Sequence, residues 1–486
     1  MNTSSNSTSN TSRAIVAALA VLGAALQLDA QAPALDRAKH PASGPAVTLR
    51  MPKIERRTLS NGIDVAIMEN HTLPVVVVRA LVDARGTLDP ADKDGLVILL
   101  QQMLPEGTTS MTADQLAEAF ADLGNGVSPT AFTTVTQNVD RSLELMGDML
   151  MHPAFPQASL DRIRTNEIAN LKRTRDQPGY MAQRVLANAV YGEGHPYERT
   201  RTDQSLNAIT RDDLVRFHDT YYRPQNVRLI VAGDIKPADA VAKLEKTFGK
   251  WAKGGKTTAY NIPPAKTRAG TTIYLFDRPN APQSIIMVGQ TGPSRDTPDY
   301  FAIDLMNTAL GGLFNSRINL NLREKHAYTY GANSFYQYRP TPEIGGFTAS
   351  SQVKTPQTDS ALTELMREIR DIRGARPLTD AELALARTSQ TLSLPMQFET
   401  LNSLVGAVAG ILQDHLPLDY YDHVAANMGK VSVADATAAA QKYLDPDHIA
   451  IVVVGDRKQI EAGLRAAKIA PVIVVDEKAR PLGPTP

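Results

Sequence analysis

The residue types that most often carry out catalysis are absent from this sequence or lack the spacing they would need. Cysteine does not occur, which excludes disulfides, thiol catalysis and cysteine-bound metals. The nine histidines include no two that lie three to five residues apart, so no helical pair of imidazoles is available for a metal. The sequence also lacks a G-x-S-x-G turn and a complete G-x-x-x-x-G-K-[ST] phosphate loop. Thiol catalysis, a helical pair of histidine metal ligands and these two motifs are therefore excluded.

The stretch "GLVILLQQML" at 95–104 predicts a helix with one polar face. Helical spacing assigns the core face to Leu96, Leu99, Leu100, Met103 and Leu104. Ile98, Gln101 and Gln102 share the opposite face at positions i, i+3 and i+4. This face has no anionic or imidazole group, because isoleucine offers no ligand and a neutral amide is a poor ligand for zinc. Gln101 cannot take a proton from water.

The stretch "REKHAYTYGANSFYQY" at 323–338 offers hydrogen-bond donors instead. We expect a helix over residues 316–325, followed by a strand whose alternation places Tyr328, Tyr330, Tyr336 and Tyr338 on one side. Arg323 then lies near the end of the helix and Tyr330 on the strand, so two donors could converge on one ligand. A plainer interpretation is that Arg323 complements the helix dipole and that the tyrosines fill a half-buried strand.

The length and composition are those of a folded protein with several domains. A chain of 486 residues exceeds one ordinary core, so we expect two to four domains. The sequence has 51 basic and 51 acidic residues. This balance gives no reason to expect nucleic acid or an anionic membrane surface as a partner.

The N-terminus predicts export. Arg13 precedes the apolar run "AIVAALAVLGAAL" at 14–26, and small residues follow it, a pattern typical of a signal peptide. The run is shorter than the roughly 20 apolar residues that a membrane span needs. We therefore assign residues 1–32 to a signal peptide and residues 33–52 to a tether, and we expect an exported, periplasmic protein without a membrane span.

The remainder of the chain is a tandem repeat. In each repeat a capped helix leads through a tyrosine and a proline to a β-branched strand and a Gly-Asp turn. An offset of 222 residues separates Tyr221 from Tyr443, Pro224 from Pro446 and Gly233 from Gly455. The sequence predicts an α+β fold of two homologous halves, each a sheet with helices packed on one face, that together form a clamshell. We place the halves at residues 53–250 and 271–486, with a linker at residues 251–270.

Several motifs resemble those of the pitrilysin/insulinase-type metallopeptidases, the inverzincins, whose helical motif is H-x-x-E-H. The resemblance rests on "LSNGIDV", "GHPYERTRT", "LGGLFNSRINLNLREKHAYTYGA" and the strand-Gly-Asp endings of both repeats. It implies that Ile98 and Gln102 stand where the zinc histidines would be, and Gln101 where the general base would be. Glu167 lies in the region of the third ligand, where we interpret it as an ordinary carboxylate on a helix surface. We expect no metal or other cofactor in this chain.

Two further expectations follow from the resemblance. The chain between Gly124 and Asn138 is shorter than the family pattern by about one strand and its turn, so we expect the edge strand beside the metal position to be missing. Arg323 and Tyr330 match a pair that the second repeat of this family contributes to binding the substrate backbone and stabilising an oxyanion.

The leading hypothesis is a non-zinc subunit of a heterodimeric zinc metallopeptidase. A homologous partner with H-x-x-E-H would supply zinc and the general base, and peptides would be the substrates. The alternative is a non-catalytic binding or scaffold protein of the same fold, which needs no such partner. Peptide cleavage by this chain unaided would require a metal site that the sequence does not provide.

Overall fold

The computed structural model describes residues 51–483, so the predicted signal peptide and most of the predicted tether lie outside the described residues. This part of the chain contains two sheets with helices around them. The first sheet consists of β1 (Glu55–Thr58), β2 (Asp64–Glu69), β3 (Val75–Val82), β4 (Ala131–Val135) and β5 (Val227–Gly233). The second consists of β6 (Thr272–Asp277), β7 (Gln283–Gly292), β8 (Thr329–Gln337), β9 (Gly345–Lys354), β10 (Ala450–Gly455) and β11 (Val472–Val475).

The two sheets share a four-stranded arrangement. Their strand orders are β1-β2-β5-β3-β4 and β11-β6-β10-β7-β9-β8. In each, a parallel pair (β2 with β5, β6 with β10) is followed by antiparallel partners (β3 and β4, β7 and β9). The predicted repeat therefore corresponds to two α+β halves, and this fold class is confirmed.

The helices of each half connect its strands. In the N-terminal half they are Leu96–Met103, Ala113–Asp122, Val139–Met151, Gln157–Arg175, Pro178–Tyr191, Asp203–Ala208, Arg211–Tyr221 and Pro237–Phe248. In the C-terminal half they are Tyr300–Asn307, Arg317–Asn319, Thr358–Asp371, Asp380–Ser393, Leu401–Gln413, Tyr420–Lys430, Val433–Tyr443 and Arg457–Ala466. Two π-helical segments, Thr308–Gly312 and Leu320–Lys325, continue Tyr300–Asn307 and Arg317–Asn319.

One face of each sheet packs on helices of its own half. On β5, Leu229 and Val231 join the core that contains Leu99, Leu100 and other residues of the N-terminal helices. The alternating residues Ile230 and Ala232 point to the opposite face and are also buried. A strand buried on both faces is apolar throughout, which explains the unbroken β-branched run of β5.

The second face of each sheet is covered by a helix from the other half. Leu401–Gln413, in the C-terminal half, packs Val405 and Val408 against Ile230 and other residues of the first sheet. Pro178–Tyr191, in the N-terminal half, packs onto β7 and β10 of the second sheet. The sequence predicted helices on one face only, and this reciprocal exchange of helices was not predicted.

Candidate functional site

A cavity of about 500 Å³ opens beside the free edge of the second sheet. Its walls are the π-helical segment Thr308–Gly312, the bend that follows it and the strands β7, β8 and β9. Tyr330 and Phe314 lie at this cavity, and both side chains are exposed. The cavity therefore combines an unpaired strand edge with exposed aromatic side chains.

Tyr330 leaves the side of the strand predicted for it because β8 contains a bulge. The pairing of β8 with β9 shifts between Thr329 and Ala332, so one extra residue is inserted in β8. Tyr328, Tyr336 and Tyr338 pack against the C-terminal core, whereas the Tyr330 side chain is 86% exposed. The prediction that the four tyrosines share one side was wrong for Tyr330, because a bulge changes the direction of the residues it contains.

Arg323 lies on the π-helical segment Leu320–Lys325. Its guanidinium carbon is 4.3 Å from the centre of the Phe314 ring, and Nη1 donates a hydrogen bond of 2.6 Å to Oε1 of Glu324. Phe314 lines the cavity together with Tyr330, so Arg323 packs on an aromatic ring at the wall of that cavity. The predicted pair therefore lies in one neighbourhood, with both side chains accessible to a ligand.

Polar contacts that the sequence analysis did not single out hold β8 in place. The Asn319 side-chain oxygen accepts a hydrogen bond from the Ala332 backbone N–H, while its amide donates to the Phe314 carbonyl. Asn307 and Ser334 form a second side-chain pair between the helix and the strand. Asparagines in a helical, otherwise apolar segment were the available signal, since such residues are unfavourable there without a partner.

Gly311 allows the π-helical segment to approach β8 closely. A Cβ atom on Gly311 would lie 2.3 Å from Oγ and 2.5 Å from the backbone nitrogen of Ser334. We find no positive φ at Gly311 or Gly312. Gly311 therefore provides the space between this segment and β8.

The degenerate metal position lies in the N-terminal half, on the helix Leu96–Met103. Ile98 is half-buried, and Gln101 and Gln102 are exposed. Gln102 Nε2 donates a hydrogen bond of 3.4 Å to Oε2 of Glu167. Glu167 is buried, and its Oε1 lies 2.6 Å from Nε of Arg201. The interpretation of Glu167 as an ordinary surface carboxylate was wrong, because Arg201 and Gln102 compensate its burial.

This set of side chains does not fit a zinc ion. Two of its members, Ile98 and Gln102, lack the imidazole or anionic groups that zinc selects, and Glu167 is already paired with a guanidinium. Within residues 51–483, no three His, Asp or Glu side chains form a group that could hold a metal. The geometry therefore gives no role in metal chemistry to this position.

A buried carboxylate fixes the start of the same helix. Asp89 accepts hydrogen bonds from the backbone N–H groups of Gly95 and Val97, at 2.8 and 3.0 Å. Burial raises the pKa of Asp89 to about 6, against the opposing effect of these two donors. The start of the helix Leu96–Met103 is therefore held by a carboxyl group, Asp89, whose charge changes near pH 6.

The N-terminal half has no counterpart of β8 among its described strands. The first sheet ends at β4, where the second continues through β9 to β8. The chain passes from the helix Ala113–Asp122 to β4 without an intervening strand. This agrees with the short segment between Gly124 and Asn138.

His195 of the "GHPYERTRT" motif has a structural role. Its Nε2 donates to the Pro263 carbonyl at 2.9 Å, and its Nδ1 accepts from the Tyr197 backbone N–H at 3.1 Å. Both ring nitrogens are therefore occupied by backbone groups.

None of the helices within residues 51–483 has the length and hydropathy of a membrane span.

The fold is a two-half α+β protein, and the position expected for zinc ligands bears Ile98, Gln101 and Gln102 instead. Residues 208–390 match the family model described as "Peptidase M16 inactive domain". The resemblance to the pitrilysin/insulinase-type metallopeptidases is thereby confirmed, and the matched part of the chain is similar to the inactive domain of that family.

Curated relatives match most of the chain at low identity. An uncharacterized zinc protease of Bacillus subtilis is 24% identical over 366 residues, covering 72% of this chain and 86% of the relative. The "Non-peptidase homolog YmxG" of Helicobacter pylori is 21% identical and covers 82% of this chain and 93% of its own length. The relatives thus include proteins described as peptidases and one described as a non-peptidase.

Solved structures share the fold over most of the chain. The peptidase M16 inactive domain from Pseudomonas fluorescens has a TM-score of 0.74 and 26% identity, covering 83% of this chain and 98% of that one. The periplasmic protease PqqL from Escherichia coli has a TM-score of 0.69 and 16% identity, covering 90% of this chain and 52% of that one. This chain therefore has the fold of about half of PqqL.

Proposed function

We propose that this protein is the non-zinc subunit of an exported, heterodimeric zinc metallopeptidase. A partner chain of the same fold with H-x-x-E-H would supply the zinc and the general base. This chain would bind the peptide backbone through Arg323 and Tyr330 and stabilise the negative charge that develops on the carbonyl oxygen. Neither chain would be active alone.

The bulge in β8 is the observation that carries the proposal. It turns the Tyr330 phenol outward, and within the described residues that phenol has no hydrogen-bond partner. Bulges occur next to active sites, where they redirect a side chain. Arg323, whose guanidinium packs on the Phe314 ring at the cavity wall, provides a second donor. A tyrosine needed only for packing would lie inward with Tyr328 and Tyr336.

Exposed apolar side chains near this cavity support a partner surface. Phe314, Leu320 and Phe335 are 64%, 43% and 49% exposed. Phe314 lines the cavity, Leu320 lies on the segment that carries Arg323, and Phe335 lies on β8. Exposed apolar groups that cluster are typical of protein–protein contact. A second chain closing over this face would cover them.

The description of one relative as a peptidase subunit supports the proposal that two chains share one active site. A relative from Arabidopsis thaliana is described as a probable mitochondrial-processing peptidase subunit beta, 23% identical and covering 84% of this chain. PqqL is about twice as long as the region that this chain matches. Its description as periplasmic agrees with the predicted export of this protein.

Purification from the native host tests the existence of the partner. The tagged mature chain would be isolated, and co-purifying proteins would be identified by mass spectrometry. The proposal expects a stoichiometric chain of similar size with H-x-x-E-H. Recovery of this chain alone, or as a zinc-free homodimer, would contradict it and favour the non-catalytic binding or scaffold protein.

Two substitutions test the role of the donor pair in the reconstituted complex. Arg323→Ala or Tyr330→Phe should each lower peptide turnover roughly 10-fold or more, because one oxyanion donor contributes at least that factor. Gel filtration should still show the intact complex, since both side chains are accessible and make few contacts. Arg367→Ala is a matched control, because Arg367 is a partly exposed arginine of the same half that pairs with Glu364. Unchanged turnover in both variants would refute the assignment.

A further inference from the structure

Glu167 is a buried carboxylate whose two oxygens are both engaged. Its side chain is 8% exposed. Arg201 Nε lies 2.6 Å from Oε1, and Gln102 Nε2 donates to Oε2 at 3.4 Å. A buried carboxylate without a cation is strongly unfavourable, so removing the cation alone should destabilise this half. Arg201 is the cation paired with Glu167 in the part of the chain that the structure describes.

Arg201 also contacts the helix that bears the altered metal position. A Cβ atom on Gly95 would lie 3.2 Å from Cβ and 3.6 Å from Cδ of Arg201, so the arginine stem packs against the start of the helix Leu96–Met103. The guanidinium then reaches Glu167 on the helix Gln157–Arg175. One side chain therefore connects the two helices, as a metal ion bound to both would.

We infer that the guanidinium of Arg201 occupies the place between the two helices that a metal ion bound at this position would need. It neutralises Glu167 and joins the two helices, so this half folds without metal. A divalent cation next to Glu167 would be repelled by the guanidinium and would have to displace it. Loss of metal binding therefore has two independent causes here, the missing ligands and the resident arginine. This inference does not depend on a partner chain.

The first test measures folding. Arg201→Ala should lower the Tm by about 3 °C or more, because it leaves Glu167 buried without a cation. Adding Glu167→Gln to that variant should restore most of the loss, since the charge is then removed together with its partner. Arg162→Ala is the control, because Arg162 lies on the same helix as Glu167 and its side chain is 56% exposed. A Tm for Arg201→Ala equal to that of the control would overturn the inference.

The second test measures metal binding by isothermal titration with Zn²⁺. Ile98→His/Gln102→His restores two imidazoles at helical spacing. With Arg201 present, this variant should bind zinc at least 100-fold more weakly than the same variant with Arg201→Ala added. Zinc should also raise the Tm of the variant that lacks Arg201. Equal affinity with and without Arg201 would show that the arginine does not occupy the place of the metal. The folding test stands if the triple variant does not fold.

Discussion

At the scale of single residues, Asp89 illustrates how a fold can stabilise the neutral form of a carboxyl group. Its oxygens accept two backbone hydrogen bonds at the start of a helix, yet burial raises its pKa to about 6. The folded state therefore binds a proton between roughly pH 4 and pH 6 that the unfolded chain has released. The stabilising contribution of Asp89 is present below pH 4 and is lost as the pH rises through 6.

Asp89→Asn should remove this dependence. Between pH 4 and pH 7 the free energy of unfolding of the wild type should fall by up to about 3 kcal/mol relative to the variant. This magnitude follows from a pKa of about 6 for Asp89 in the folded chain, well above that of an ordinary aspartate in the unfolded chain. Urea unfolding at several pH values measures the difference. Asp92→Asn is a nearby control at an exposed aspartate. Parallel pH profiles for wild type and Asp89→Asn would show that Asp89 does not titrate in this range.

Residue types could be interpreted from the sequence where the chemistry depends on type alone. Ile98 and Gln102 cannot act as zinc ligands in any fold, so that prediction needed no structure. The environment of Glu167 could not be predicted, because Arg201 is far from it in sequence and lies in the irregular segment before the helix Asp203–Ala208. The direction of Tyr330 was also unpredictable, since the bulge arises from pairing with β9.

At the scale of elements, periodicity predicted the existence of helices and strands but not their variations. The expected helix over residues 316–325 is a short α-helix, Arg317–Asn319, followed by the π-helical segment Leu320–Lys325. A second π-helical segment, Thr308–Gly312, borders the cavity that Tyr330 lines. Such segments are uncommon and occur frequently at functional sites. Both segments contact β8, and a 3.6-residue period carries no information about such tertiary contacts.

Gly311→Ala tests the close approach of a π-helical segment to β8. The added methyl would overlap Ser334 and push the segment from the strand, which should cost about 1–3 kcal/mol of stability. The exposed control is Gly312→Ala, whose Cβ would meet its nearest atom, the Asn307 carbonyl oxygen, at 3.3 Å. Chemical denaturation should separate the two variants. Equal stability would mean that the contact with Ser334 adapts without cost.

At the scale of the whole molecule, the exchange of helices makes each half depend on the other. The repeat was evident in the sequence because equivalent residues recur at a fixed offset. The exchange was not, since the apolar face of the helix Leu401–Gln413 indicates burial without indicating which sheet buries it. Without that helix, the first sheet would expose Ile230, Val77 and their neighbours to water. We therefore expect the two halves to unfold together.

The single tryptophan provides a direct test of this coupling. Trp251 is buried in the core of the N-terminal half, whereas Val408 belongs to the C-terminal half and packs on the first sheet. Val408→Ala should destabilise the protein by roughly 1–3 kcal/mol through the cavity it leaves. Urea transitions followed by Trp251 fluorescence and by circular dichroism should coincide and shift together. Leu482→Ala, at a side chain that is 64% exposed, should shift neither. If Val408→Ala left the fluorescence transition unchanged while moving the dichroism transition, the halves would be independent, and the exchanged helices would cover the sheets without coupling them.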